Sequence, residues 1–128
     1  MTIDYKELLN IAKEARERAY SPYSNFRVGA ALLCSDGKVY LGCNVENAAF
    51  GPTCCAERDA IFSAIADGHR DFSAISITAD SAPCTPCGVC RQVISEFCDG
   101  DFEIITEEKD GKVRVFTLDE LLPNRFKL

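Results

Sequence analysis

Leu8, Leu9, Ala12, Ala15 and Ala19, with Arg16 between them, recur at the spacing of one helix face, behind Asp4 and Glu7 as an N-cap and capping-box partner. The helix should end before Ser21-Pro22, because a residue that precedes proline is driven out of helical conformation. Residues 27–33 and 38–43 read as strands on either side of Asp36-Gly37, a strong hairpin signal. From 55 to 66 the helical period returns through Ile61, Ala64 and Ile65, with Gly68 placed to stop it. Residues 72–79 are rich in Ile and alternate, as a strand does. Pro86 suits the first turn of a further helix that runs to about Cys98, before Asp99-Gly100. Residues 102–106 and 113–116 flank Asp110-Gly111 as a second hairpin, and 117–122 read as a helical turn stopped by Pro123. The order is that of a layered α/β domain with helices covering a mixed sheet. With no repeat, linker or low-complexity tract, residues 1–128 read as one domain.

Composition narrows the setting. A chain of 128 residues, 47% hydrophobic and 27% charged, is an ordinary globular protein with room for one core. Its net charge of -6 and its scattered Lys and Arg disfavour a polynucleotide partner and suit a small neutral ligand. The opening MTIDYKELLN lacks the basic and apolar regions of a signal peptide, and the longest apolar stretch, 28–34, is far short of a membrane span. Both absences point to the cytoplasm, where eight cysteines are not expected to pair as disulfides. Some should be buried, small and hydrophobic, the reading for Cys34, Cys43, Cys54, Cys84 and Cys98; others should bind metal.

The chemistry concentrates in Cys55-Ala56-Glu57 and, some thirty residues on, Pro86-Cys87-Gly88-Val89-Cys90. Cys87 and Cys90 are three apart on an expected helix and so share a face. Cys55 opens the other helix. Helix N-termini favour thiolate, the form that binds metal. Three ligands leave zinc one open position, as a catalytic site requires, and Glu57 stands two residues from a ligand. A structural site would recruit a fourth ligand, for which Cys54 and Cys84 are both available. A redox pair is disfavoured by the third cysteine. Three thiolates overcompensate a dication, so two helix N-termini or Arg58 must offset the charge. The only histidine, His69, follows Gly68 and reads as a surface residue with no metal role.

Outward from this cluster the chain resembles the small, homotetrameric, zinc-dependent cytidine deaminases. The matching stretches are Ala19-Tyr20-Ser21-Pro22-Tyr23-Ser24, Phe26-Arg27-Val28-Gly29-Ala30-Ala31 and Gly42-Cys43-Asn44-Val45-Glu46-Asn47-Ala48-Ala49. They continue through Cys55-Ala56-Glu57-Arg58, Pro86-Cys87-Gly88-Val89-Cys90-Arg91-Gln92 and Leu121-Leu122-Pro123, and so cover nearly the whole chain in order.

The resemblance implies a three-layer α/β/α sandwich around a mixed five-stranded sheet. It also implies hydrolytic deamination of cytidine and deoxycytidine, with ammonia released, in pyrimidine salvage. Zinc, one ion per chain, would be held by Cys55, Cys87 and Cys90, with Glu57 as the proton carrier and Arg58 bonded to ligand sulfur. Phe26 would pack on the base, the Ala56 N–H would meet its carbonyl, and the Thr85 carbonyl would face the departing amino group. Asn44 and Glu46 would bind the ribose hydroxyls; without the resemblance they read as a strand-end cap and a solvated carboxylate. Phe126 and the segment around Ala48 and Phe50 would reach a neighbouring subunit of the homotetramer. Phe50 departs from the Tyr that many relatives carry, which removes any hydroxyl contact there. The same zinc chemistry on another amino-heterocycle, such as a nucleoside antibiotic, is the alternative that Asn44 and Glu46 argue against. A small structural zinc module is the other, and it leaves Glu57 without a purpose.

Overall fold

The structure, a computed structural model, describes residues 3–128; Met1 and Thr2, the start of the segment searched above for a signal peptide, lie outside the described residues. The chain runs α1 (Tyr5–Arg16), β1 (Val28–Cys34), β2 (Val39–Cys43), α2 (Ala56–Ala66), β3 (Phe72–Ala79), α3 (Gly88–Phe97), β4 (Glu103–Glu107), β5 (Val113–Thr117) and a short α4 (Leu118–Leu121). The strands make one sheet in the order β2-β1-β3-β4-β5. Only β3 and β4 are parallel; the other neighbours are antiparallel. The mixed five-stranded sheet is the one expected.

Alternation along β1 divides the core between the two faces of the sheet. Ala31 joins Leu8, Leu9 and Ala12 of α1, together with Ala74 and Ile105. Ala30, Leu32 and Cys34 face the other way, into a larger cluster with Ala56, Ala60, Ile61 and Ala64 of α2, Ile94 of α3 and Leu118 of α4. One helix therefore covers one face and three cover the other, giving the three-layer α/β/α sandwich.

Element ends depart from expectation where tertiary bonds intervene. The helical face runs on to Ala19, yet α1 stops at Arg16, because Tyr20 is drawn into a bridge with Val45. Asp4 caps α1 through the Lys6 N–H at 3.3 Å rather than through the bond to Glu7 that a capping box would make. The third helix begins at Gly88 with Cys87 as its N-cap, so Pro86 sits before the helix and not in its first turn. Gly68, at φ 93°, ends α2 as expected, with His69 N–H reaching back to the Ala64 carbonyl and Gly68 N–H to that of Ile65. Among the described residues, no helix is long and apolar enough to cross a membrane.

Two glycines set how closely the helices approach. A Cβ at Gly29 would fall 2.1 Å from the Ala12 carbonyl oxygen of α1, and one at Gly42 would fall 2.2 Å from that of Ala56 in α2. Gly42 thus seats the first turn of α2 directly on β2, and Asp59 secures it by accepting from the Cys43 N–H at 3.0 Å. Gly29→Ala and Gly42→Ala should each destabilise the fold by about 1–3 kcal/mol, the usual cost of overpacking. Only Gly42→Ala should also loosen a metal held at the start of α2. Urea unfolding read alongside metal content checks this, and equal metal loss in both variants would contradict it.

Candidate active site

A thiol at the N-cap is a poor substitute for the Ser, Thr, Asp or Asn that normally satisfies the first N–H groups. Helices α2 and α3 nevertheless both start this way, at Cys55 and Cys87, and neither cap side chain accepts from the first backbone N–H groups of its helix. Their first turns are left pointing at sulfur. The N3 residue of each helix comes back to the cap, as it does in a capping box. In α2 it is Arg58, whose guanidinium donates to Cys55 Sγ at 3.2 Å; in α3 it is Cys90.

The sulfurs of Cys55, Cys87 and Cys90 lie within 4.8 Å of one another, and Cys55 and Cys87 are 3.9 Å apart. Cys90 is fully buried, Cys55 half-buried and Cys87 exposed. Without metal, hydrogen bonds from the Cys90 thiol and from Arg58 hold Cys55 as a thiolate, with its pKa lowered to about 5. Cys90, as the donor, is held protonated. The cluster offers soft donors, a neighbouring cation and two helix N-termini, which is a fit for zinc. Neither Cys54 nor Cys84 belongs to it. Burial keeps both as neutral thiols, Cys84 pushed up to about 11.

Cys55 and Cys87 open onto a cavity of about 280 Å³ that also contains Phe26, Asn44, Glu46, Ala56, Glu57 and Thr85. Every residue expected there on one subunit is brought together. Glu57, in the first turn of α2, is only 4% exposed. Burial disfavours its charge, the negative Cys55 beside it adds to the effect, and its pKa is pushed up to about 7.

Backbone bonds knit the walls. Val45 exchanges N–H···O bonds of 2.9 Å with Cys54, while Tyr20 N–H donates to the Asn44 carbonyl at 2.9 Å and Glu46 N–H to that of Tyr20 at 2.8 Å. The Asn44 amide is itself part of the frame, accepting from the Val28 N–H and donating to the Phe26 carbonyl, both at 2.8 Å. Glu46 accepts from the Tyr23 and Ser24 N–H groups and from the Ser24 hydroxyl, which hold its carboxylate ionised. Phe50 and Phe126 stand apart from the cavity, 83% and 67% exposed.

Three lining residues carried no role in the sequence, Ser24, Val28 and Thr53, and Cys54 and Cys84 line the cavity as well. Cys54 and Cys84 are half-buried on the cavity wall, with Cys84 also packed against the core, and Cys43 is half-buried; Cys34 and Cys98 are buried as expected. Adjacency to Cys55 and Thr85 was the available signal. Arg91 had no such signal. Its guanidinium bonds the carbonyls of Pro86 and Leu121, each at 2.7 Å, tying the loop before Cys87 to the C-terminal segment.

A metal held by the three thiolates would keep one position for water, and that water would meet a buried carboxyl near neutrality at the wall of the cavity. This is the economy of a hydrolytic zinc enzyme, and on a layered α/β frame it defines the zinc-dependent deaminases. Residues 2–106 match the family model of the cytidine and deoxycytidylate deaminase zinc-binding region. The chain is 49% identical to a cytidine deaminase of Sporosarcina psychrophila, over 97% of this chain and 92% of that one. It is 48% identical to a cytidine deaminase of Halalkalibacterium halodurans, over 97% and 95%. A crystal structure of cytidine deaminase from Burkholderia pseudomallei matches with a TM-score of 0.92 at 49% identity, over 97% of this chain and all of that one. The chain belongs to the cytidine and deoxycytidylate deaminase family, and zinc is its metal.

Arg58→Gln removes the positive charge from Cys55. In the metal-free protein the first thiolate ionisation should rise from about 5 by about 1–3 pH units, followed by thiolate ultraviolet absorbance. An unchanged titration would show that Arg58 does not stabilise the thiolate.

Proposed function

We propose that this chain is one catalytic domain that hydrolyses cytidine and deoxycytidine to uridine and deoxyuridine, releasing ammonia, within cytoplasmic pyrimidine salvage. The observation that carries the reading is Glu57, buried beside the three sulfurs with its pKa near 7 and opening on the same cavity. Cys55, Cys87 and Cys90 hold one zinc ion per chain. Bound there, zinc supplies an acidified water at neutral pH.

Glu57 then works as a proton shuttle. It takes a proton from water and passes it to the pyrimidine N3 as the water oxygen joins C4. It next takes the remaining proton from the new C4 hydroxyl and delivers it to the amino group, so that the C4 carbonyl forms as the C4–N bond breaks and ammonia departs. A carboxyl poised near neutrality suits both directions of transfer. The Thr85 carbonyl accepts from the amino group, the Ala56 N–H donates to the base carbonyl, and Phe26 packs on the ring. Arg58 spreads part of the excess thiolate charge.

Asn44 and Glu46 take the ribose. Asn44 spends one hydrogen bond at each end of its amide on the frame and keeps capacity at both. A ribose hydroxyl replaces the Ser24 hydroxyl on Glu46. Because these polar groups stay unpaired with a bare base, free cytosine should be a poor substrate.

The quaternary reading is a homotetramer. Phe62, Val89, Val93 and Phe97 form an apolar groove between α2 and α3, with Phe62 46% and Val89 58% exposed. Surfaces of this kind mark contact sites. Phe126 and the segment around Ala48 and Phe50 would complete a neighbour's cavity, so a dissociated subunit should be inactive. The acidic chain, with a net charge of -6, is not expected to bind nucleic acid.

The purified protein should release ammonia from cytidine and deoxycytidine and far less from cytosine or dCMP. Glu57→Ala should keep its zinc and lose about 10²–10⁴-fold or more in turnover. Substantial activity in that variant would remove Glu57 from the mechanism. Equal turnover on cytosine would remove the ribose contacts.

A further inference from the structure

The one histidine of the chain does not sit loose on the surface. His69 is half-buried just past the end of α2, and both its ring nitrogens are engaged. Nε2 lies 2.9 Å from Asp36 Oδ2, and Nδ1 lies 2.9 Å from the Tyr40 hydroxyl. That hydroxyl also bonds the Asp67 carboxylate, which Lys38 Nζ reaches at 2.9 Å.

Tyr40 has a single hydroxyl proton, and the Asp67 carboxylate can only accept. The Tyr40 proton therefore goes to Asp67, and His69 Nδ1–H must donate to the Tyr40 oxygen. In the neutral ring that leaves Nε2 as a lone pair, turned towards a second acceptor, the Asp36 carboxylate. Two acceptors this close repel unless a proton lies between them or a metal ion is bound by both. Cys34 adds a third ligand atom to the pair. It is 1% exposed, and its sulfur lies within 4.8 Å of ligand atoms of both Asp36 and His69.

We infer that Cys34, Asp36 and His69 form a second divalent-metal site, suited to zinc, at the turn between β1 and β2. One sulfur, one carboxylate oxygen and one imidazole nitrogen are a zinc-type donor set that leaves a fourth position for water. A thiolate and a carboxylate balance the dication, whereas three thiolates overcompensate it. Tyr40 and Asp67 supply the outer hydrogen bonds that orient a ligating histidine and fix its tautomer. The second site is remote from the first. Val28 at one end of β1 lines the active cavity and Cys34 ends the same strand, a span of roughly 20 Å at about 3.3 Å per residue. A metal here takes no part in the chemistry. It pins the hairpin turn to the end of α2, the helix that carries Cys55 and Glu57 at its start.

The test begins from the zinc-loaded enzyme in its native assembly and adds Zn²⁺ under equilibrium dialysis. A second equivalent per chain should bind more weakly than the first, raise Tm by several degrees and shift the single imidazole resonance in the proton spectrum. His69→Gln and Cys34→Ser should each abolish the second equivalent and the Tm rise, while the first zinc and the basal turnover remain. Cys34 is in the core and its variant should be less stable, so the partly exposed His69 carries the decision. A stoichiometry that stays at one per chain with the imidazole resonance unmoved would overturn the assignment. So would a second equivalent that survives in His69→Gln.

Discussion

Helices α2 and α3 each begin on a cysteine, and their N-termini converge on one cluster of three sulfurs. Unsatisfied N–H groups and aligned peptide dipoles make such a place favourable to negative charge. The same feature that would be a defect in an isolated helix, a cap without an oxygen, becomes the means of holding thiolate. Arg58, placed by helical spacing at N3 of α2, adds a full positive charge 3.2 Å from Cys55 Sγ. Three thiolates can therefore share a dication without leaving the centre strongly negative.

The remainder of the fold keeps these two helix starts in register. Gly42 lets α2 lie on β2 at backbone contact, and Asp59 bonds the end of that strand. Arg91 ties the loop ahead of Cys87 to the carbonyl of Leu121, so the C-terminal segment steadies α3 from outside. On the opposite wall, Asn44 joins Phe26 to Val28, and Val45 joins the segments of Tyr20 and Cys54. The cavity is a meeting of strand ends and helix starts. Its walls are joined by backbone hydrogen bonds and by the side chains of Asn44, Asp59 and Arg91. Glu57 owes its raised pKa to this enclosure, because burial in the first turn of α2 removes the water that would stabilise its charge.

Much of this was legible in the sequence, for physical reasons. Asp36-Gly37 and Asp110-Gly111 demand tight turns, and alternation in β1 assigns its residues to the two faces. The spacing of Cys87 and Cys90 brings their sulfurs together, although they stand at the N-cap and N3 and not both inside the helix. Contacts between distant segments were not legible. Nothing near Arg91 signals that it reaches Leu121, nothing at Asn44 shows that its amide is committed to Phe26 and Val28, and Tyr20 leaves the helical face of α1 only because Val45 is there to pair with it. His69 was misplaced on the surface for the same reason. Its partners Asp36 and Tyr40 lie some thirty residues upstream and meet it only once β1 and β2 pack against α2.

On the proposed reading three sulfurs, and no fourth, hold the catalytic zinc and leave one position to water beside Glu57. X-ray absorption at the zinc edge of protein loaded with one equivalent tests it most directly. Three sulfur neighbours at about 2.3 Å and one oxygen or nitrogen at about 2.0–2.2 Å are expected. Four sulfurs would mean that Cys54 or Cys84 had joined the cluster, closing the site and contradicting the claim.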